Sequence, residues 1–342
     1  MTTCKLVSIN VGQAPPKAPH SIALIDLQDR SQKALRITVM KNLPCLNYYL
    51  GIDGGGTRCR ARLQDDSGRT IGEGESGPAN IRLGLDVAWA SIMTAIDRAL
   101  AAAGLSRDVL AQTALGLGLA GVVTSDDCRR TTDAAPAEFG LICAAADYHV
   151  ACLGAFGGED GAIQIAGTGS SGYAIVSGKG YPVGGWGFVL SEKGSAAALG
   201  RDAIRAALEA HDGLAVRTAF TEAVITHFGT PADIIDWSEK ARASDYGALS
   251  PLAFTYADKG DAVAKALVKQ VAADIDHFVA HLIELGAPRV CLVGGLAPHI
   301  LAWLSETTRA CLVEPGMDIL DGAILMARHD NAVVTLRTGG VT

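Results

Sequence analysis

The sequence has 342 residues, 49% of them hydrophobic and 19% charged, and a formal net charge of −7. This length suits two domains of average size, and the composition excludes an intrinsically disordered chain. No uncharged apolar run reaches 18 residues, so no membrane-spanning helix is expected. The acidic balance argues against a nucleic acid or an anionic membrane as the main partner, because phosphate binding needs clustered Lys and Arg.

The cysteines and the N-terminus indicate the compartment. The eight cysteines form no CxxC pair and no metal-ligand spacing. Several lie in apolar patterns, so we expect buried thiols in a reducing environment. A signal peptide is not expected, since the apolar run SIALIDL is short and interrupted by Asp26. These features predict a cytoplasmic protein.

Residues 1–45 form an N-terminal extension to which we assign no function. It contains GQAPPKAP, a loop signal, and the alternating runs SIALIDL and ALRITVM, which predict two strands. Met40 stands at a suitable distance before the next strand to be a natural start. We therefore expect residues 1–39 to be dispensable.

A first lobe is predicted over residues 46–157. The strands LNYYLGID, RCRARLQD and TIGEGES precede an amphipathic helix within LDVAWASIMTAIDRALAAAG. TALGLGLAG and GLICAAAD then predict buried strands, each followed by a helical stretch. This alternation is typical of an α/β sheet with parallel members.

A second lobe is predicted over residues 158–342, because the opening pattern recurs there. Strand AIQIAG, turn TGSSG and strand YAIVSG lead to a turn at Lys179 and Gly180 and then to helices. A mainly helical insertion from Leu190 to Gly286 precedes strand RVCLVGG, helix APHILAWLS, short strand CLVEPG and last helix DILDGAILMAR, which can pack back on the first lobe. Such a duplication places a cleft between two lobes, where ligands usually bind.

A glycine turn ends the first strand of the first lobe, at Asp53, Gly54, Gly55, Gly56 and Thr57. Glycines can adopt positive φ and expose consecutive N–H groups to a phosphate, and Thr57 adds a hydroxyl donor. Asp53 suits a hydrated Mg²⁺, which uses few carboxylates. Taken alone, the turn is equally consistent with an ordinary hairpin that Asp53 caps.

A second glycine turn is predicted in the second lobe at Gly167, Thr168, Gly169 and Ser170, where Thr168 and Ser170 supply hydroxyl groups. Two facing turns could hold the phosphates of a nucleotide from both lobes. A tight hairpin without a ligand is the alternative, which the repetition disfavours.

A third glycine pair, Gly294 and Gly295, lies between a strand and a helix. It either presents backbone on which an adenosine lies flat or allows the strand and helix to pack closely.

Asp147 is the candidate acid–base group, because it ends the strand LICAAAD and opens a helix. A helix N-cap is the alternative role, since Asp is preferred there. His149, in the same helix, is assigned to packing or to the surface.

The loop GGWGFVLSEKGS and the loop SGPANIRLG contain further candidates. Glycines on both sides of Trp186 predict an exposed ring beside a ligand, whereas Glu192 is expected to be solvated. Asn80 can read a sugar hydroxyl or form an Asx-turn.

Together these strings resemble the N-acetylglucosamine and glucosamine kinases of the BadF-type ATPase family, within the actin-like and hexokinase-like superfamily. The resemblance covers residues 48–330 and rests on GIDGGGTRCRARL, SGPANIRLG, GLAG, AADYHVACLGA, IAGTGSSG, GGWGFVLSEKGS, LVGGLAP and DGAILMA. It implies an α/β fold of duplicated ribonuclease H-like (actin-like ATPase) domains with mixed sheets, two lobes and a central cleft.

The resemblance also implies roles for individual residues. Gly54 through Thr57 match the first phosphate loop of an ATP site, Gly167 through Ser170 the second, and the glycines of LVGGLAP the adenosine motif. Asp53 matches the magnesium position, and Asp147 the base at the sugar 6-hydroxyl. The matching sugar-contact positions are Asn80, Asp147, Thr168, Gly185, Trp186 and Glu192.

One motif departs from the family pattern. Many N-acetylglucosamine kinases read GDEGS where this chain reads SEKGS, so that Glu192 replaces an aspartate and the sugar contact there is open. SGPANIRLG, SDYGALSP and AADIDHFVAHLIELGAPRVCL are most similar to bacterial glucosamine kinases, whereas GGWG is shared with N-acetylglucosamine kinases. On the first three strings we favour glucosamine. Its ammonium group would suit a nearby carboxylate such as Glu192, whereas an acetamide would need an apolar slot and an amide partner, and at this point both environments are open.

Two alternatives remain within the resemblance. The family includes ATPases that activate radical dehydratases through an iron–sulfur cluster held by cysteines, but these cysteines lack a cluster-like pattern. A sugar-sensing regulator would need a helix-turn-helix, and the first 45 residues are strand-like and short. We therefore expect a hexosamine kinase that uses ATP and Mg²⁺, binds neither nucleic acid nor membrane, and forms a homodimer, the commonest assembly.

Overall fold

The structure, a computed structural model, describes residues 46–328 together with two short strands nearer the N-terminus. These strands, β1 (Ala23–Ile25) and β2 (Ile37–Val39), pair antiparallel. They lie within SIALIDL and ALRITVM, where the sequence predicts two strands. The dispensability of residues 1–39 stays a prediction.

The first lobe is built on a five-stranded sheet. Its strands are β3 (Tyr48–Gly54), β4 (Cys59–Asp65), β5 (Thr70–Ser76), β6 (Thr113–Leu119) and β7 (Leu141–Ala146). The order is β5-β4-β3-β6-β7, in which β3, β6 and β7 are parallel and β4 and β5 extend the sheet antiparallel. Every residue of β6 is buried. This burial explains its continuous apolar run, because a central parallel strand is covered on both faces.

Helices cover the two faces of this sheet. The helices of the first half are α1 (Leu85–Ala102), α2 (Ser125–Asp133) and α3 (Asp147–Phe156), with 3-10 helices at Ile81–Leu83 and Arg107–Gln112. Side chains alternate between the faces of a strand. Leu50 and Ile52 of β3 therefore join the core under α1, while Gly51 faces the opposite side.

The last helix of the described residues, α12 (Ile319–Arg328), lies on that opposite face. Gly51 and Gly116 let it approach closely, because a Cβ on either residue would overlap a carbonyl oxygen of the helix, that of Leu320 or Ala323. The chain thus returns from the second lobe to pack on the first.

The second lobe is built on a four-stranded sheet. Its strands are β8 (Gly161–Ala166), β9 (Ser170–Val176), β10 (Lys179–Gly184) and β11 (Val290–Val293). Their order is β10-β9-β8-β11, with β8 and β11 parallel and the other pairs antiparallel. The two sheets, one in each lobe, confirm the expected mixed α/β class.

Two local predictions in this lobe are wrong. The turn expected at Lys179 and Gly180 lies instead at Ser177 and Gly178, whose φ angles of 51° and 71° suit a two-residue hairpin turn. The residues after it form β10. The short strand expected in CLVEPG is reduced to an isolated bridge from Leu312 to β11.

The helical insertion expected between Leu190 and Gly286 is present. Its helices are α4 (Ala196–His211), α5 (Ala219–Phe228), α6 (Pro231–Ser238), α7 (Ala243–Gly247), α8 (Ser250–Asp258) and α9 (Ala262–Glu284). After β11 come α10 (Ala297–Ile300), a 3-10 turn at Leu301–Trp303, and α11 (Glu306–Cys311), which the sequence did not predict. Across residues 46–328, no helix combines the length and apolar character needed to cross a membrane.

Candidate active site

The first-lobe candidates lie where the three parallel strands end. In the ladder, Asp53 is opposite Gly118, and Leu119 is opposite Ala146, the residue before Asp147. Because neighbouring strands are about 4.8 Å apart, the backbones at Asp53 and Asp147 are separated by on the order of 10 Å. Ligands of open α/β sheets bind at such carboxyl ends.

The first glycine turn links β3 to β4 and is closed by a hydrogen bond from Gly55 N–H to the Arg58 carbonyl, 2.9 Å long. The positive φ expected for Gly54, Gly55 and Gly56 is not found. Gly54 is required by packing instead, because a Cβ there would overlap the side chain of Leu119. A Cβ on Gly56 would meet no atom within 4 Å, so this exposed turn keeps open space in front of it.

Asp53 does not cap the turn. Its Oδ2 accepts hydrogen bonds from Arg60, at 2.7 Å from Nη2 and 3.1 Å from Nε, and its side chain is 19% exposed. Within the described residues, no group of three or more His, Cys, Asp and Glu side chains could hold a metal. A Mg²⁺ ion at Asp53 would take its other oxygen ligands from water and from phosphates, which matches the usual chemistry of this ion.

Asn80 lies at the same edge and forms the Asx-turn expected as one alternative. Its Oδ1 accepts a hydrogen bond from Arg82 N–H at 2.9 Å and caps the 3-10 helix Ile81–Leu83. Contact of its amide nitrogen with a sugar stays a prediction.

Asp147 is the first residue of α3, but the N-cap is Ala146, which makes no side-chain cap bond. The capping alternative is therefore wrong. The Asp147 Oδ1 accepts a hydrogen bond from the adjacent Tyr148 N–H at 2.8 Å. Burial raises the pKa of Asp147 above its ordinary value, and the nearby Asp53 carboxylate adds to the rise. A carboxylate with a raised pKa is a better proton acceptor.

The second glycine turn is fastened to its surroundings from several sides. The first N–H groups of α4 reach it, from Ala196 to the Gly167 carbonyl at 2.8 Å and from Ala197 to the Thr168 carbonyl at 3.2 Å. Thr168, between these two carbonyl contacts and β9, is exposed.

Ser170 faces the interior instead. Its hydroxyl accepts a hydrogen bond from Gln164 Nε2 at 3.0 Å, and its N–H donates to Glu192 Oε2 at 2.5 Å. Both polar groups of Ser170 thus anchor the turn, and Thr168 is its exposed residue.

The loop after β10 contains an exposed tryptophan and a buried glutamate. Trp186 is 73% exposed, as expected, and neighbouring Gly185 has a φ of 73°. The expected solvation of Glu192 is wrong, because this residue is only 8% exposed. Its Oε1 accepts a hydrogen bond from Gly187 N–H at 3.1 Å, so its carboxylate joins the tryptophan loop to the second turn. Its φ of 74° is unusual outside glycine.

The third glycine pair packs against the second turn. Gly294 has a φ of 107°, and a Cβ there would overlap the Ala166 carbonyl oxygen. A pocket of about 260 Å³ opens beside the two glycine segments. Its lining is Gly167, Thr168, Ala196, Ser250, Pro251, Phe254, Gly295, Leu296 and His299. The sequence did not indicate the lining residues from α8 and α10, because a helical pattern carries no signal for ligand binding.

The described cysteines are thiols in apolar surroundings. Burial raises the pKa of Cys59, Cys143 and Cys152 to about 12. Such thiols are poor metal ligands, since a metal binds the thiolate. Cys4 and Cys45 lie outside the described residues.

Comparison with known proteins identifies the family. The profile of the BadF/BadG/BcrA/BcrD ATPase family matches residues 50–327. This chain belongs to that family. The glucosamine kinase GspK of Vibrio cholerae is 43% identical over 283 residues, which cover 82% of this chain and 96% of the relative.

Solved structures agree with this assignment. A candidate N-acetylglucosamine kinase from Chromobacterium violaceum is 31% identical, with a TM-score of 0.76 over 83% of this chain and all of that one. A ROK family glucokinase from Streptomyces griseus, in complex with glucose and AMPPNP, has a TM-score of 0.51 at 17% identity, over 82% of this chain and 99% of the other. The second likeness shows the fold alone. These findings confirm the actin-like two-lobe fold and a phosphotransferase that uses ATP.

Proposed function

We propose that this enzyme transfers the γ-phosphoryl group of ATP to the 6-hydroxyl of glucosamine. The observation that carries the choice of sugar is Glu192, a buried carboxylate between the second glycine turn and the tryptophan loop. The 43% identical glucosamine kinase supports the same substrate.

Asp147 is the base in this proposal. Phosphoryl transfer needs the attacking hydroxyl in line with the γ-phosphorus and a group that accepts its proton. Asp147 is not the N-cap residue of α3, its pKa is raised by burial, and it follows a parallel strand end. It would accept the 6-hydroxyl proton as the oxygen attacks.

The glycine segments would bind the nucleotide. Exposed groups of Gly56, Thr57 and Thr168 are suitable donors for phosphate oxygens, and the pocket beside Gly295 is suitable for the nucleoside. A Mg²⁺ ion, when bound, would neutralise phosphate charge, and Asp53 would hold it directly or through water.

The buried charge of Glu192 favours an amino sugar. A carboxylate has about four lone-pair positions, and two backbone N–H groups occupy two of them. No Lys, Arg or His of residues 46–328 forms an ion pair with it. A substrate ammonium would supply the missing cation, and an acetamide would not.

N-acetylglucosamine is the second candidate substrate, and the Chromobacterium violaceum relative favours it. The rate of ADP release, measured with glucosamine, N-acetylglucosamine, N-acetylmannosamine and glucose, distinguishes the two candidate substrates. We expect glucosamine to have the highest kcat/KM, and phosphorus NMR of the product to show coupling to the C6 protons. A preference for N-acetylglucosamine would overturn the choice of sugar and leave the kinase assignment in place.

Glu192→Gln tests the ammonium contact itself. The variant should lose about tenfold in kcat/KM for glucosamine relative to N-acetylglucosamine, as expected when a charge-assisted hydrogen bond becomes neutral. General damage to the loop would lower kcat/KM for both sugars, so the ratio of the two kcat/KM values reports the ammonium contact alone. Glu284→Gln, on the exposed end of α9, is the matched control and should leave the ratio unchanged. An unchanged ratio in Glu192→Gln would exclude the contact.

The homodimer and the cytoplasmic location expected from the sequence stay predictions. Sedimentation equilibrium of the full chain would measure the first.

A further inference from the structure

The helix that begins with Asp147 also contacts the second lobe. His149, two residues after Asp147, places its Nδ1 2.6 Å from the hydroxyl oxygen of Tyr173. Tyr173 belongs to β9, the strand that starts at Ser170 of the second glycine turn. The rings of Tyr148 and Tyr173 also lie 4.9 Å apart. One side chain of the second lobe therefore contacts both residues that follow Asp147.

The rest of α3 is held by both lobes. Its buried residues Cys152 and Phe156 pack with Ile163 and Ile175 of the second sheet. On its other side, Val150 packs with α12 and the first sheet. The first turn of α3 is thus fixed relative to the second lobe by the Tyr173 contacts, whereas β7 connects it to the first.

We propose that His149 and Tyr173 are positioning residues that hold Asp147 in register with the second glycine turn. The hydrogen bond fixes the direction in which α3 leaves β7, and so the place of the Asp147 carboxylate. The inference rests on the proposed role of Asp147 as base. It assigns neither residue a contact with substrate.

The hydrogen bond is suited to this role because it is shielded. Tyr173 is 6% exposed, and burial lowers the pKa of His149, so the imidazole stays neutral at physiological pH. A neutral pair in apolar surroundings has a defined geometry and depends little on salt. Loss of one partner would leave the other without its hydrogen bond inside the protein.

A small error in the position of a base has a large effect on rate and little effect on binding. Tyr173→Phe removes only the hydroxyl and keeps the ring. We expect kcat to fall about tenfold, equivalent to about 1.4 kcal/mol in the barrier, with the KM values for ATP and sugar within about twofold of wild type. The assay uses the sugar that the wild-type enzyme phosphorylates fastest.

Two substitutions at His149 supply the rescue test. His149→Asn keeps a polar atom near the position of Nδ1, whereas His149→Leu removes it. We expect kcat of His149→Asn to exceed that of His149→Leu severalfold. Tyr256→Phe, which removes a hydroxyl in the helical insertion, is the control and should keep full kcat.

The outcomes separate this inference from the proposed function. A kcat of Tyr173→Phe within twofold of wild type, or equal kcat values for the two His149 variants, would overturn the positioning role. A fall confined to KM would overturn it too. If the wild-type enzyme prefers a sugar other than glucosamine, the proposed substrate is wrong. The kcat ratios of the variants to wild type can still be measured with the preferred sugar.

Discussion

The two glycine turns come from similar strings at corresponding places in the two lobes, yet they are held differently. The first turn is closed by a hydrogen bond from Gly55 N–H to the Arg58 carbonyl, and its Gly54 and Gly55 carbonyls accept hydrogen bonds from Ala120 N–H and Ala79 N–H, but its tip is exposed. The second is attached to α4, to Gln164, to Glu192 and to the Gly294 segment. The first turn is thus attached by backbone hydrogen bonds, whereas the side chains of Gln164 and Glu192 also hold the second.

This difference suggests that the two glycine turns have different roles. The first turn lies beside the carboxylates of Asp53 and Asp147, at the carboxyl ends of parallel strands. The backbone groups of the second turn, between β8 and β9, are held in fixed positions by its attachments. If this difference is correct, a substitution at the exposed tip of the first turn should leave stability unchanged, whereas a substitution that disturbs the contacts of the second turn should lower nucleotide binding and stability together.

The largest expected effect is that of Asp147→Asn. Loss of a general base should lower kcat by about 10²–10⁴-fold, with sugar affinity changed little. The fold should not suffer. Folding favours the protonated form of a carboxyl whose pKa is raised, so the ionised group opposes folding at neutral pH and its removal should raise Tm. Near-normal turnover of the folded variant would exclude Asp147 as the base.

The pH dependence of kcat gives a second test of Asp147 as the base. Asp147 must be ionised to accept a proton, and burial beside Asp53 raises its pKa above the ordinary 3.8. We expect kcat to fall about tenfold per pH unit below that raised pKa. A profile that stays flat down to pH 3.8 would contradict the role, provided that circular dichroism shows a folded enzyme there.

The smallest effects come from a matched pair of glycines. Gly294→Ala adds a Cβ that overlaps Ala166 at a φ of 107°, so it should cost more than about 1 kcal/mol of stability and raise the KM for ATP. Gly56→Ala points into open space and should leave Tm unchanged, with only a few-fold rise in that KM. If Tm falls equally in the two variants, the proposed difference between an exposed first turn and a closely packed second turn is wrong.

Most of the fold and the position of each motif could be predicted from the sequence, because strand periodicity and glycine turns are local signals. What could not be predicted depends on contacts between distant segments. The burial of Glu192 follows from the N–H groups of Ser170 and Gly187, one of them 22 residues away. The His149–Tyr173 bond spans 24 residues and has no motif of its own.

Errors in local structure have a similar origin. Lys179 and Gly180 look like a turn in isolation, but pairing with β9 extends them into a strand. Asp147 looks like an N-cap, yet the backbone of β7 ends one residue earlier and makes Ala146 the cap. In both cases the neighbouring strand decides where the element begins.

The position of α12 has a consequence for synthesis of the chain. Arg62 of β4 binds Asp318 and Asp321 at 2.8 Å and 3.0 Å, and the helix covers β3 and β6. Part of one face of the N-terminal sheet therefore stays uncovered until α12 has left the ribosome. Nascent chains that end before residue 319 would lack this cover, so complete folding of the first lobe requires synthesis of α12.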